Sequence, residues 1–466
     1  MYKRQGNVRV RIGFRHNVLR EGGAAYPRGP TLHTGNGASS SANVPRMQTP
    51  VPVKRVADVE DAVGVAMGVV ARGVVSVVRM MPQGMVQAGA RALFSKTWRI
   101  FSEASADPRA AQERRLTAIV QANAATEFGR EHQFEAIRGY EDWRSRVPIR
   151  TWTQVLPYVR RMVDGEKNVL TSEEPFFYAR SSGTTGEPKN IPVTQAYMDE
   201  FRHGRRVWMR QVAQVMPRAV RGHILTVHSP SIEGRTKSGI PYGSITAAQG
   251  STAEDPTGFD PVPRHVYTLQ HYPSRYYLAL RFALERPVSV MSAVNPSTLV
   301  LLCQVLTRES SSLAKDLETG GLSDALQITA EERAYFSRRL HKNGANARRL
   351  LESVQKHGVA RPVDVWPSLQ GALCWKGGSA PFYLEQLRPL IPNLPIMDFG
   401  YAASEGVFTT PLDAGEAQGV ALAAGHVMEF IPWAAYEAGS RDALPMWDLT
   451  QGERYCLLYT SDAADE

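Results

Sequence analysis

Hydrophobic and polar positions change period several times along the chain, and each change marks an element. Ala62 to Met81 is an apolar run interrupted by Arg72 and Arg79. At about 20 residues it approaches a membrane-spanning length, but two arginines inside it are costly in lipid. It therefore predicts a core or interfacial helix rather than a stable membrane span. Amphipathic stretches over 88–104 and 107–124 predict two helices, and Thr126-Glu127-Phe128-Gly129-Arg130 supplies the break after the second. From residue 175 onward short apolar runs alternate with helical spacing. His223–Val227, Val288–Val294, Ala372–Trp375 and Pro395–Tyr401 predict buried strands, and Ser274–Glu285, Ser297–Leu306 and Glu331–His341 predict helices. This repetition predicts an α/β fold with helix-covered β-sheets. Gly377-Gly378-Ser379-Ala380-Pro381 follows an apolar strand, and Pro381 suits the first turn of the next helix.

Composition narrows the class. A chain of 466 residues, 43% hydrophobic and 21% charged, can bury a sizeable core and is neither disordered nor fibrous as a whole. Three cysteines cannot build a disulfide framework, which points to a reducing compartment and a cytoplasmic location. The net charge of +9 suggests nucleic acid until it is located. The first 55 residues hold ten Lys/Arg against one acid, Glu21, so the remainder is neutral and a basic groove for nucleic acid is not supported.

The two ends stand apart. Cys456-Leu457-Leu458-Tyr459-Thr460-Ser461 back-translates to a string whose reverse complement encodes Tyr2-Lys3-Arg4-Gln5 after a GTG start. The termini read as an inverted repeat at the DNA level and resemble a sequencing-library transposon end translated at both edges of a fragment. Residues 1–5 and 456–466 are accordingly expected to be adapter, and segments of that kind are set aside in fold reasoning. The rest of 1–55 is Arg-rich and full of Gly, Pro and Ser. It reads as a disordered or non-native leader, with Met47 and Met67 as candidate starts. The expected organisation is thus leader (1–55), apolar helical extension (56–86), main domain (87–455) and adapter (456–466).

The strongest local signal is Ser181-Ser182-Gly183-Thr184-Thr185-Gly186-Glu187-Pro188-Lys189. It is not a Walker loop: Gly183 and Gly186 are too close, and no Ser/Thr follows the lysine. Two glycines let the backbone approach an anion, the hydroxyls and backbone amides offer donors, and Lys189 adds a positive charge. Those are the needs of a polyphosphate, although Gly/Ser/Thr clusters also serve as plain loops. A second segment reads Asp398-Phe399-Gly400-Tyr401-Ala402-Ala403-Ser404-Glu405-Gly406. Flanking text comprises Glu166–Leu170, Lys189–Thr194, Glu233–Thr236, Gly239-Ile240-Pro241-Tyr242-Gly243 and Trp375-Lys376-Gly377-Gly378-Ser379-Ala380.

The first run resembles the phosphate-binding signature of acyl-adenylate-forming enzymes, and the second resembles their downstream aromatic–small–Ser/Thr–Glu motif. Together with the flanking text they resemble the Gretchen Hagen auxin-responsive family of acyl-acid amido synthetases, in its bacterial branch, over about 88–455. The resemblance implies the large N-terminal lobe of an adenylate-forming ligase. Such an enzyme uses ATP and Mg²⁺ to activate a small carboxylic acid and passes the acyl group to an amino acid or other amine. By the same resemblance Ser181, Ser182, Gly183, Thr184, Thr185, Gly186 and Lys189, with Gly378 and Ser379, hold the nucleotide. Tyr401 stacks on adenine, Ser404 meets the α-phosphate region and Glu405 holds the metal, leaving Lys189 and Glu405 as the catalytic pair. Gly239, Ile240, Tyr242 and Gly243 either line the acyl pocket or form a turn. The family's third nucleotide motif, an aromatic–Arg–x–Gly–Asp stretch, is not found after Tyr455, and the small C-terminal domain is expected to be missing. An acyl-CoA ligase and a non-catalytic nucleotide-binding remnant are the alternatives.

Other candidates carry less. Eleven histidines show no paired metal-ligand spacing, Cys303 and Cys374 lie in apolar runs that predict burial, and no Gly-x-Ser-x-Gly elbow is present.

Overall fold

Two four-stranded sheets divide the work of the fold, one built on a hairpin and one on parallel strands. The structure, a computed structural model, describes residues 77–181, 188–227, 232–245, 259–415 and 417–460. The expected leader, most of the Ala62–Met81 run and the centre of the Gly/Ser/Thr run lie outside the described residues.

In the first sheet β1 (Phe177–Ser181) pairs antiparallel with β2 (Lys189–Val193) in a register running from Phe177↔Val193 to Ser181↔Lys189. Side chains alternate across a strand, so Phe177 and Ala179 meet Ile191 and Val193 on one face, packed on Tyr197 and Met198. A separate strand, β3 (His223–Thr226), opens the second sheet, and β4 (Gly234–Arg235) and β5 (Pro241–Gly243) return to complete the first in the order β2-β1-β5-β4.

The second sheet has the order β3-β6-β7-β8, with β6 (Val288–Ser292), β7 (Gly371–Leu373) and β8 (Ile396–Met397) all parallel to their neighbours. Every residue of β6, β7 and β8 is buried. This explains why these strands read as unbroken apolar runs: a parallel sheet is covered on both faces by its crossover helices. Those helices follow the sequence signals closely. Pro296–Arg308 starts on a proline, with Asn295 Oδ1 accepting the N–H of Ser297 at 3.0 Å, and Ala380–Leu387 carries Pro381 in its first turn. They pack with Tyr272–Ala283 and Gly344–His357 into the largest core, which buries Cys303 and Cys374.

Three sequence expectations change: the strand expected over Pro395–Tyr401 is confined to Ile396–Met397, the helix expected over Glu331–His341 runs over Ala330–Ser337, and the first amphipathic helix is broken. The predicted helix over 88–104 is two helices, Gln83–Leu93 and Ser95–Ala106, because Phe94 leaves helical geometry at φ −99°, ψ 14°. The next helix, Pro108–Asn123, starts as predicted, with Asp107 accepting the N–H of Ala110 at 3.0 Å. Thr126 then caps the short helix Glu127–Glu131.

Beyond the parallel sheet come small antiparallel pairs. β9 (Ala402–Ala403) pairs with β10 (Gly406–Val407), and β11 (Thr409–Thr410) with β12 (Val420–Ala421). A last sheet holds β13 (Val427–Pro432) between β14 (Leu444–Pro445) and β15 (Tyr455–Thr460). β15 includes Cys456–Thr460, five of the eleven residues set apart as adapter, and its ladder with β13 runs from Val427↔Thr460 to Pro432↔Tyr455.

Candidate active site

The Gly/Ser/Thr run closes the β1–β2 hairpin. Ser181 ends β1 opposite Lys189, the first residue of β2, so both ends of the run are fixed. Ser182, Gly183, Thr184, Thr185 and Gly186 lie outside the described residues. The Lys189 ammonium sits 5.2 Å from the centre of the Trp152 ring. Burial pulls its pKa below the ordinary lysine range, and the nearby Glu405 carboxylate acts in the opposite direction.

Glu405 arrives from a distant part of the chain. Ser404 and Glu405 form the two-residue turn between β9 and β10. Glu405 is only 6% exposed, and burial lifts its carboxyl above the ordinary carboxylate range. Its own backbone N–H, the Lys189 ammonium and the hydroxyl of Tyr459 on β15 act against that rise. Two opposite charges, each costly to bury alone, are therefore placed to act on each other.

The turn is held on one side by the helix Gln195–Val215, which follows β2 directly. Tyr197 in its first turn donates its hydroxyl to the Ser404 carbonyl at 2.8 Å. Three turns on, Trp208 donates Nε1–H to the Asp398 carbonyl at 2.8 Å, and its ring stacks on Phe399 at 5.2 Å. Tyr401 lies against Phe408 at 5.3 Å between ring centres. Its hydroxyl is pushed up to about 12 by burial first, then by Glu405 and Cys456. Gly400 takes φ +82°, and a Cβ there would overlap the Thr409 carbonyl, so the residue before Tyr401 must be glycine.

Gly378 and Ser379 come from the carboxyl end of β7, beside the carboxyl end of β8. Asp398 ties the two ends together: Oδ2 accepts the Lys376 N–H at 2.8 Å and Oδ1 the Gly400 N–H at 2.6 Å. Burial raises the Asp398 carboxyl, and these backbone bonds oppose the shift. The Lys376 ammonium donates to the Ala414 carbonyl at 3.1 Å. Gly378 takes φ +62°, and Ser379 precedes the helix Ala380–Leu387. Crevices outside the carboxyl ends of parallel strands are the usual ligand positions of open α/β sheets.

Gly239 and Ile240 belong to the exposed turn between β4 and β5, where Gly239 takes φ +86°. Tyr242 and Gly243 pair with Tyr178 and Ala179 on β1. The Tyr242 ring lies 4.1 Å from the Arg180 guanidinium. The structure thus joins this segment to the residue preceding Ser181, one strand away from Lys189.

The donor set fits a nucleotide-bound magnesium and not a protein cage. Among the described residues no group of three or more His, Cys, Asp or Glu converges to hold a metal. Magnesium bridged to phosphates keeps most of its waters and needs only one or two carboxylates, and buried Glu405 beside a lysine meets that requirement. Trp152, Tyr197, Trp208 and Asp398 also shape the site. Asp398 stood inside the quoted motif; the other three carried no signal beyond helical spacing.

The description of the GH3 family N-terminal domain matches residues 97–396. The chain belongs to the GH3 family. Curated GH3 relatives include the "Probable indole-3-acetic acid-amido synthetase GH3.12" of Oryza sativa subsp. japonica. It is 25% identical over 326 residues, which span 66% of this chain and 52% of the relative. The indole-3-acetic acid-amido synthetase GH3.2 of Arabidopsis thaliana is 23% identical over 325 residues, spanning 67% and 59%. The GH3 fold is also seen in the solved structure of AtGH3.15 acyl acid amido synthetase in complex with 2,4-DB. It superposes with a TM-score of 0.71 at 18% identity, over 81% of this chain and 66% of that one. The chain therefore spans between half and two thirds of these three GH3 proteins, and it has the GH3 α/β fold. Among the described residues no helix is long and apolar enough to cross a membrane.

Proposed function

We propose that this GH3 protein is an AMP-forming acid–amine ligase acting in the cytoplasm. It adenylates a small carboxylic acid with ATP and transfers the acyl group to an amino acid or another amine. In the first step a carboxylate oxygen of the acid displaces pyrophosphate from ATP. In the second the amine displaces AMP and an amide forms. The observation that carries this reading is that the helix following the Lys189 strand bonds the Ser404–Glu405 turn through Tyr197, where the Glu405 carboxylate and the Lys189 ammonium act on each other's charge.

Each residue then has a task its surroundings suit. Lys189, partly desolvated beside Trp152, meets phosphate oxygens as a point charge that water screens poorly. The run Ser181–Gly186 offers backbone and hydroxyl donors to the same anion, and Gly378 and Ser379 border the nucleotide at the sheet edge. Tyr401 gives adenine an aromatic face, and Ser404 lies next to the α-phosphate. Glu405 is the carboxylate that would hold Mg²⁺, whose charge neutralises the departing pyrophosphate. Tyr242, beside Arg180, is assigned to the acid. The names of the GH3 relatives support a small carboxylic acid as the substrate class.

The test is product analysis. The protein is given ATP, Mg²⁺ and a panel of carboxylic acids, with either a mixture of amino acids or coenzyme A as acceptor. Acid-dependent AMP release with an amide product is expected. A thioester as the sole product would assign the protein to acyl-CoA ligation, and nucleotide binding with no acid-dependent AMP would assign it to a non-catalytic role.

A further inference from the structure

A buried pair of ionisable side chains lies directly behind the Glu405 turn. His426 is 1% exposed, and its Nδ1 lies 2.8 Å from Glu200 Oε2. Glu200 also pairs with the Arg115 guanidinium from the helix Pro108–Asn123. The Nε2 edge of the imidazole lies against the backbone just after the turn: a Cβ on Gly406 would overlap its Nε2 and Cε1. Its ring also meets Phe408 at 5.0 Å, and Phe408 in turn packs on Tyr401 and Tyr459.

Glu200 reaches His426 from the helix that follows the Lys189 strand. It sits on the helix Gln195–Val215, between Tyr197, which bonds the Ser404 carbonyl, and Gly204, where a Cβ would come 2.8 Å from Leu422 and 3.4 Å from Val407. Positions 197, 200, 204, 208 and 211 follow one helix face. Tyr197, Gly204, Trp208 and Gln211 contact the second motif or the chain after it, through Ser404, Val407, Asp398 and Leu412 in turn, while Glu200 reaches His426 behind the turn. The His426 backbone is fixed as well, because Gln112 Nε2 donates to its carbonyl at 2.8 Å while Gln112 Oε1 accepts the Met428 N–H at 2.7 Å. Hydrophobic packing alone could fill this space. Burying ionisable groups here instead costs desolvation.

We propose that Glu200 and His426 are positioning residues that hold the Ser404–Glu405 turn opposite Lys189, and so set how well the Glu405 carboxylate meets a nucleotide-bound cation. The inference rests on the reading of Glu405 as the residue toward Mg²⁺. Outer partners that orient a metal-binding side chain typically change metal affinity about 10–100-fold when removed.

The experiment uses the whole chain and two readouts. Calorimetry gives the dissociation constant of ATP with and without Mg²⁺, and hydrogen exchange gives the protection of the amides of Gly406–Phe408. His426→Ala is expected to lose about tenfold of the affinity that Mg²⁺ adds, and to speed exchange in the hairpin by about the same factor. His426→Gln, whose side-chain amide can donate to Glu200, is expected to recover most of both. A folded His426→Ala protein with unchanged hairpin exchange overturns the proposal. Glu200→Gln serves the same purpose if His426→Ala does not fold, and wild-type values of both readouts in Glu200→Gln also overturn it. Glu405→Gln is measured alongside. If the Mg²⁺ increment survives in Glu405→Gln, the metal reading fails, and hairpin exchange in His426→Ala alone decides the positioning role.

Discussion

The hydroxyl of Tyr197 donates to the carbonyl of Ser404 at 2.8 Å, joining the helix that leaves the Lys189 strand to the turn that carries Glu405. Tyr197 is fully buried, and burial pushes its hydroxyl well above the ordinary tyrosine range, with Glu405 adding to the shift, so it stays a donor at any physiological pH. Tyr197→Phe removes the donor and leaves a carbonyl without this partner, at a cost of about 1–3 kcal/mol. Denaturant unfolding is expected to show that loss, with MgATP affinity falling alongside. Lost stability with unaltered MgATP affinity would mean the bond serves the fold alone.

Gly400 offers a purely steric test. Its φ of +82° and the Thr409 carbonyl behind it leave no room for a side chain. Gly400→Ala should cost about 1–3 kcal/mol from strained backbone alone, and more from the displaced carbonyl. Gly239, equally left-handed at φ +86° but with open space around its Cα, should lose only the backbone part on substitution. Thermal melts of the two variants give the ranking, and equal losses would contradict it.

The sign of the pH dependence follows from Glu405. Its folded-state pKa is raised by burial, so between the ordinary glutamate value and the raised one the folded protein binds the extra proton. The contribution to stability is therefore fully present below the ordinary pKa and is lost as pH rises through the raised one. Lys189 has a lowered pKa, so its contribution is present above the ordinary lysine value and is lost as pH falls through the lowered one. Nucleotide-free wild type should thus lose stability relative to Glu405→Gln as pH is raised from about 4.5 toward neutrality. Melting temperatures of the two proteins across that range provide the check, and a gap that moves the opposite way would contradict the burial of this carboxylate.

Much of the fold was legible because its signals are local. The strands β3, β6, β7 and β8 coincide with apolar runs, since a parallel sheet covered on both faces needs no polar alternation. Helix starts at Asn295-Pro296 and Asp107-Pro108 announce themselves by cap and proline chemistry, and the start at Ala380-Pro381 by its proline alone. The split at Phe94 was hidden, because amphipathic spacing continues across the break. At the site, Lys189 and Glu405 stand in motifs whose residue types state their chemistry. The residues that bring them together do not. Tyr197, Glu200 and Trp208 share a face that any packed helix could show, and His426 is one isolated histidine whose partner lies in another helix. Their meaning depends on long-range contacts that a single sequence does not encode in spacing.

Pyrophosphate–ATP exchange that depends on an added carboxylic acid tests the central claim most directly. Wild-type protein should catalyse it, and Lys189→Ala should lower it by roughly tenfold to a hundredfold. That range corresponds to one charge-assisted contact of about 1.5–3 kcal/mol. Glu405→Gln should shift its Mg²⁺ dependence to higher concentration. Exchange that needs no acid, or that is unchanged in both folded variants, would contradict the assignment of Lys189 and Glu405 to an adenylation site.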